Sequence, residues 1–232
     1  MYRRLLDRVR RMKLKVVKPL RDLQRAASLR VTLCDQNPEV AQALAESFLD
    51  VDEVEVVVGS LFDTDCDALV SPANSFGDMS GGIDQKIDEF YAGQAQRVVM
   101  ERIAEQFHGE LPVGMASLFE MGTRRFPYLI ASPTMRVPSR VPDTLNAYLS
   151  MRAALIAVLD FNRTHGDGRI ASLAVPGLCT GVGGMAGENA AVQMKAAYDM
   201  VAREQWRKIL HPVQAPFALG KNATPIHWKP TR

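Results

Sequence analysis

Residues 59–84 read GSLFDTDCDALVSPANSFGDMSGGID. Within them, DALVSPAN (67–74) is an apolar run of strand length that ends on a polar side chain, Asn74. Three glycines, Gly77, Gly81 and Gly82, then lead into a helical pattern. Glycine lets the main chain approach a ligand closely, and the free N–H groups of a helix start suit an anion. Strand-to-helix junctions are also where an open α/β sheet takes its ligands. A second junction of this kind, PGLCTGVGGMAGE (176–188), holds Gly181, Gly183, Gly184 and Gly187. Neither loop contains G-x-x-x-x-G-K-[ST], which disfavours a nucleoside triphosphatase P-loop. The first strand-to-helix turn, CDQNPEV, lacks G-x-G-x-x-G, which disfavours a standard dinucleotide dehydrogenase. A diphosphate held by the backbone amides of two loops remains.

Outward from these loops the chain alternates strand and helix patterns. LRVTLC (29–34) predicts a strand, and Asn37-Pro38 a helix start with a capping side chain and proline at the first helical position; Val40, Ala43, Leu44 and Phe48 form its apolar stripe. VEVVVG (54–59), PVGMASLFEM (112–121) and FPYLIAS (126–132) predict further strands, and a single helix is expected near 84–107. Asp143 or Thr144 is expected to cap a helix carrying Leu145, Tyr148, Leu149, Leu155, Ile156 and Leu159 that stops at Gly166. RIASLAVPG (169–177) predicts the last strand, with a helix near 187–210. The alternation predicts an α/β layered domain with a largely buried sheet over 29–211, followed by a proline-containing tail over 212–232.

The formal charge of +2 hides two unlike parts. The first 30 residues carry 11 Lys/Arg and 2 Asp/Glu, a net of +9, and the rest of the chain has a net of −7. In the basic arm (1–28), Leu5, Val9, Met12 and Val16 recur at spacings of three or four, which gathers them on one side of a helix. Such a segment either lies on an anionic membrane, tracks a nucleic-acid backbone, or packs on its own domain as a solvated helix. Asp7 and Asp22 weigh against a mitochondrial presequence. Cys34, Cys66 and Cys179 are odd in number and far apart, so no disulfide framework is expected and a reducing, cytoplasmic setting fits. His108, His165, His211 and His227 stand singly, without metal-ligand spacing. No apolar run reaches the roughly 18–20 residues that would span a bilayer.

Together, the two loops resemble the macrodomain family. Residues 59–84 are similar to the pattern in which a G-D-[IL] turn is followed by D-A-[IL]-V-N-A-A-N and a glycine run ending in G-G-[VI]-D. SLAVPGLCTGVGGM (172–185) is similar to the second loop, S-I-A-F-P-x-[IL]-S-T-G-x-[YF]-G. SPANSFG (71–77) and ASPTMRVP (131–138) further resemble a branch grouped with ADP-ribose-1″-phosphate processing. The resemblance implies a three-layer α/β/α fold with a mixed central sheet, and a cleft for ADP-ribose or a derivative. In some members it also implies hydrolysis of ADP-ribose from proteins, nucleic acids or small esters. No cofactor is implied.

By the same resemblance, Asn74 hydrogen-bonds the distal ribose, a task that suits an amide because it both donates and accepts; the alternative is an Asn that stabilises its own turn. Asp84 orients or activates the attacking water, or else is simply an acid favoured in the first turn of a helix. Gly81, Gly82 and Ile83 wrap the distal ribose and one phosphate. Thr180, Gly181, Val182, Gly183 and Gly184 hold the diphosphate from the other side as an anion nest, and Ser60, Leu61 and Ala73 complete the expected lining.

Several positions depart from the family pattern. Ser60 stands where an aspartate commonly recognises adenine, leaving Asp63 or Asp35 as substitutes. The aromatic residue that often covers the distal ribose is missing, with Gly184 and Met185 in its region, and Asp78 and Ser80 add polar groups to the first loop. Cys179 reads as a small buried residue more readily than as a nucleophile. Arg136 is either a phosphate contact or a surface residue. Two functions follow, a hydrolase of ADP-ribosyl linkages or ADP-ribose-1″-phosphate, and a non-catalytic reader of ADP-ribose or nucleic acid recruited through the arm.

Overall fold

The computed structural model describes residues 29–166 and 168–209. The arm and the tail expected at 1–28 and 212–232 lie outside the described residues. Six strands, β1 (Arg30–Asp35), β2 (Val54–Val58), β3 (Ala68–Ser71), β4 (Ser117–Glu120), β5 (Tyr128–Ala131) and β6 (Ser172–Pro176), form one sheet in the order β2-β1-β6-β3-β5-β4. All pairs are parallel except β4 with β5, so the sheet is mixed. The helices are α1 (Pro38–Ser47), α2 (Gly82–Phe90), α3 (Gln94–Phe107), α4 (Asn146–His165) and α5 (Gly187–Val201).

The central strands are apolar at nearly every position because both faces of the sheet are covered. Val31, Leu33, Ala68, Val70, Ile130, Leu173 and Val175 point to the core shared with α1, α4 and α5. Cys34, Leu69, Leu129 and Ala174 point to the core shared with α2 and α3. The period-2 geometry of a strand splits one apolar run between two cores, giving the expected α/β/α layering. Burying each such large aliphatic side chain stabilises the fold by about 1.5–3 kcal/mol. Asp67, at the head of the β3 motif, is structural: its carboxylate accepts the Ala171 and Ser172 N–H groups and the Ser172 hydroxyl at 2.8–2.9 Å, which fixes β3 against β6.

Four expectations shift. The single helix near 84–107 is two, because Ala92 and Gly93 take left-handed φ of 54° and 77° and end α2. The Asp88 carboxylate then accepts the Gln96 N–H at 2.8 Å in the first turn of α3. The strand expected over 112–121 shortens to β4 because Pro112 opens a turn closed by a hydrogen bond from the Met115 N–H. Neither Asp143 nor Thr144 is the cap of α4, since that position falls to Leu145 without a side-chain cap; the Thr144 hydroxyl accepts the Asn146 N–H from one residue further out. Finally, α5 stops at Val201, and a short 3-10 turn, Gln205–Lys208, follows.

Candidate functional site

The C-terminal ends of the parallel strands β1, β3 and β6 meet at one cleft of about 610 Å³. The first wall is the 72–84 loop, which is built to stay open on one side and locked on the other. Met79 is fully buried and its N–H donates to Gln96 Oε1 at 2.8 Å, which the break between α2 and α3 puts in place. Gly77 sits against α3, where a Cβ would come within 2.9 Å of Val99 and 3.0 Å of Ile103. Asn74 turns the chain: its carbonyl accepts the Phe76 N–H at 3.0 Å and the Asp78 N–H at 3.4 Å, and its amide donates to Asp78 O at 2.9 Å. One amide hydrogen of Asn74 is left for a ligand.

Beyond that anchor, Gly81 and Gly82 are exposed and a Cβ on either would meet nothing within 4 Å. Gly81 caps α2 without a side-chain hydrogen bond, so the first-turn N–H groups of this helix have no side-chain partner there. The second wall, 177–186, is tighter. Thr180 Oγ donates to Gly177 O at 3.0 Å, the Gly184 N–H to Gly181 O at 3.0 Å, and the Met185 N–H to Cys179 O at 3.0 Å. This turn leads into α5, whose cap, Ala186, also offers no side-chain hydrogen bond.

Asp84 lies in the first turn of α2 and lines the cleft. The fully buried Ser71, the last residue of β3, donates its hydroxyl to Asp84 Oδ1 at 2.6 Å. Burial is the largest influence on this carboxyl and, with the nearby Asp78 carboxylate, raises it to about 7 against the opposing Ser71 hydrogen bond. Replacing Ser71 by alanine removes the one group that favours the ionised form. Ser71→Ala is therefore expected to move the Asp84 titration further up, as read by carboxyl-carbon NMR, whereas Asp78→Asn is expected to move it down.

Twelve of the thirteen residues expected at the site line this cleft: Ser60, Leu61, Ala73, Asn74, Gly81, Gly82, Ile83, Asp84, Thr180, Gly181, Val182 and Gly183. Gly184 does not; the Arg140 side chain covers it. Of the two substitutes for the missing adenine-side carboxylate, Asp35 lines the cleft. Asp63 does not; its carboxylate accepts the Ser60 N–H at 3.3 Å in a capping box, as that of Asp35 accepts the Asn37 N–H at 2.8 Å. The Cys179 thiol is buried and pushed up to about 12 by desolvation, which leaves it unreactive. Arg136 is a surface residue, paired with Glu110 at 2.6 and 2.9 Å and lying over the Phe76 ring.

Sequence reasoning missed Ser71, Thr134, Met135, Pro138 and Lys86. Ser71 occupies the place of an asparagine in the family motif, and that exchange is a signal that could have found it. The other four come from segments that only tertiary packing brings to the cleft. Among the described residues, no group of three or more His, Cys, Asp or Glu is placed to hold a metal ion.

The sequence profile of the macro domain matches residues 70–194, more than half of the chain. An uncharacterized protein of Aquifex aeolicus is 33% identical over 143 residues, which is 61% of this chain and 78% of that protein. The Oceanobacillus iheyensis macrodomain solved with ADP superposes with a TM-score of 0.52 at 18% identity, over 63% of this chain and 75% of that one. Thermosipho africanus DarTG, solved in complex with ADP-ribose, gives 0.50 at 17% identity, over 70% of this chain and 48% of that one. With two glycine loops at the C-terminal edge of a mixed α/β/α sheet and a profile match that spans both, the chain belongs to the macrodomain family.

Proposed function

We propose that the cleft binds ADP-ribose and that the protein hydrolyses a bond at the anomeric carbon of its distal ribose, freeing a protein, nucleic-acid or phosphate acceptor. The observation that carries this reading is Asp84, a carboxyl raised to about 7 on the wall of a cleft flanked by two glycine-rich loops. A base with this value is about half ionised at neutral pH, close to the optimum for general base work. Gly81, Gly82 and Ile83 hold the diphosphate and distal ribose from one side, Thr180 to Gly183 from the other, and Ser60, Leu61 and Asp35 flank the adenosine end. Asp84 takes a proton from water, the water oxygen bonds to the anomeric carbon, and the bond to the acceptor breaks with its electron pair going to the acceptor. Asn74 orients the ribose with its remaining amide hydrogen.

The heavy use of Asn74 within its own turn favours a second reading, a reader without turnover. Incubation with mono-ADP-ribosylated protein, ADP-ribosylated oligonucleotide and ADP-ribose-1″-phosphate separates the two. Release of ADP-ribose from any of them supports the hydrolase; binding of ADP-ribose with no release supports the reader. Asn74→Ala is expected to weaken ADP-ribose binding at least tenfold, about 1.4 kcal/mol, by titration calorimetry. The basic segment 1–28 serves in this reading as a separate recruiting arm for nucleic acid or anionic lipid, with binding that falls as salt rises. Among the described residues no helix is long and apolar enough to cross a membrane.

A further inference from the structure

β2 closes one side of the sheet. It pairs with β1, and no strand lies against its outer edge among the described residues. The Val31 N–H donates to Glu53 O and the Gly59 N–H to Asp35 O, each at 2.9 Å. Alternate residues of a parallel strand turn both backbone groups toward the same neighbour, so Glu55 and Val57 face β1. Val56 and Val58 therefore present their N–H and C=O groups outward, a template for one more strand. The side chains along this edge are of two kinds. Val54 and Val56 are only partly covered, at the margin of the core shared with α1, α4 and α5, and Val58, in the same two-residue period, is 60% exposed. Glu55 alternates with them on the opposite face and is exposed.

Charge restricts what can dock there. Asp52, Glu53 and Glu55 are exposed on β2 or just before it, and among the described residues none of them enters an ion pair. A second copy of the chain, pairing edge to edge, would bring these carboxylates against one another, which is destabilising. The edge instead suits a segment that alternates apolar and basic residues. One stands in the arm, outside the described residues: Met12-Lys13-Leu14-Lys15-Val16-Val17-Lys18. Laid out as a strand, Met12, Leu14 and Val16 share one face and Lys13 and Lys15 the other, which matches Val54, Val56 and Val58 on one side and Glu55 on the other. The β-branched Val16 and Val17 favour this form over the helical one, and Pro19 ends it by removing the next N–H donor. The connection is long enough. Val31 of β1 lies opposite Val54, so for an antiparallel strand residues 19–28 need to cross only about 10 Å, two strand spacings, out of a reach of roughly 33 Å.

We propose that residues 12–18 of the basic arm dock antiparallel along the outer edge of β2 as an added strand, with Lys13 and Lys15 beside Glu55 and the apolar side chains over the exposed valines. The +9 arm and the −7 remainder of the chain are then partners within one molecule. Lys13 and Lys15 are withheld from an outside anion while the strand is docked, so docking and recruitment through these two lysines exclude one another. The docked edge also lies next to the cleft along the chain, since β2 runs through Gly59 directly into the lining residues Ser60 and Leu61.

The test is amide hydrogen exchange on the full chain at low salt, read residue by residue by NMR. The Val56 and Val58 amides are expected to exchange at least about tenfold more slowly in the parent than in Leu14→Pro, which breaks the added strand without changing its charge. Lys13→Glu together with Lys15→Glu is expected to lift the protection as well, and Glu55→Lys added to that pair is expected to restore part of it. The Leu33 and Leu173 amides, inside the sheet, stay protected in every variant and report that the domain is folded. Fast exchange at Val56 and Val58 in the parent, or protection that survives these substitutions, overturns the proposal. Surviving protection that grows with protein concentration assigns the edge to a second copy instead.

Discussion

Asp84→Asn is expected to lower the rate of ADP-ribosyl release by about 10²–10⁴-fold while making the protein more stable above neutral pH. The rate loss follows from removing the base. The stability gain follows from linkage. In the folded chain the Asp84 carboxyl titrates at about 7, against about 3.9 in an unfolded one, so the folded state holds its proton more firmly. Stability from this group is therefore full below about pH 4, is lost as pH rises toward 7, and stays low above it. Asparagine removes that loss, still accepts the Ser71 hydroxyl, and is expected to raise unfolding free energy at pH 8 by up to about 4 kcal/mol, with no gain at pH 4. Urea unfolding at the two pH values and a release assay check both halves. If the parent protein hydrolyses ADP-ribosyl linkages as proposed, its kcat/KM is expected to climb tenfold per pH unit below about 7 and level off above it. A variant that loses activity without the pH-dependent gain would place Asp84 outside the desolvated setting described here.

Gly183→Ala is expected to abolish ligand binding while leaving most of the fold intact. A Cβ at this position would stand 2.5 Å from Cys179 O, and 3.0 Å from both the Cys179 carbonyl carbon and Cα. All three are backbone atoms and cannot swing aside as a side chain tip would. The turn must open, which breaks the hydrogen bond from Met185 to Cys179 and displaces the β5–α4 connection bonded to Gly183 O. Overpacking of this kind costs about 1–3 kcal/mol, and the greater effect falls on a site that works only with its loop closed. ADP-ribose binding is expected to fall by two orders of magnitude or more, with far-UV circular dichroism unchanged.

The fold was legible because its main signals are local. A strand buried on both faces is apolar through its middle, as ALV (68–70) and LAV (173–175) are; Asn37-Pro38 caps and starts α1 as its residue types require, the Asn37 side chain accepting the Glu39 N–H. The two glycine loops were legible for the same reason, since each lies between a strand and a helix within one short stretch. The break at Ala92–Gly93 was obscured because the apolar stripe runs on through both helices while the left-handed turn rests on one glycine and the alanine before it. Lys86 and the segment around Pro138 were hidden for another reason. Their place at the cleft depends on how α2 and the β5–α4 connection pack against the sheet, and spacing along the chain does not encode that. Asp35 and Asp63 could not be told apart along the chain, since each carboxylate accepts a nearby N–H, that of Asn37 or of Ser60, and only the packed fold puts Asp35 on the cleft wall.

Titration calorimetry of the full-length chain with ADP-ribose bears most directly on the function of the cleft. One-site binding with little dependence on salt is expected, because the diphosphate would be held mainly by main-chain N–H groups and the basic arm would take no part. The absence of binding to the parent protein, under conditions where its secondary structure is intact, would contradict an ADP-ribose site while leaving its place in the macrodomain family untouched.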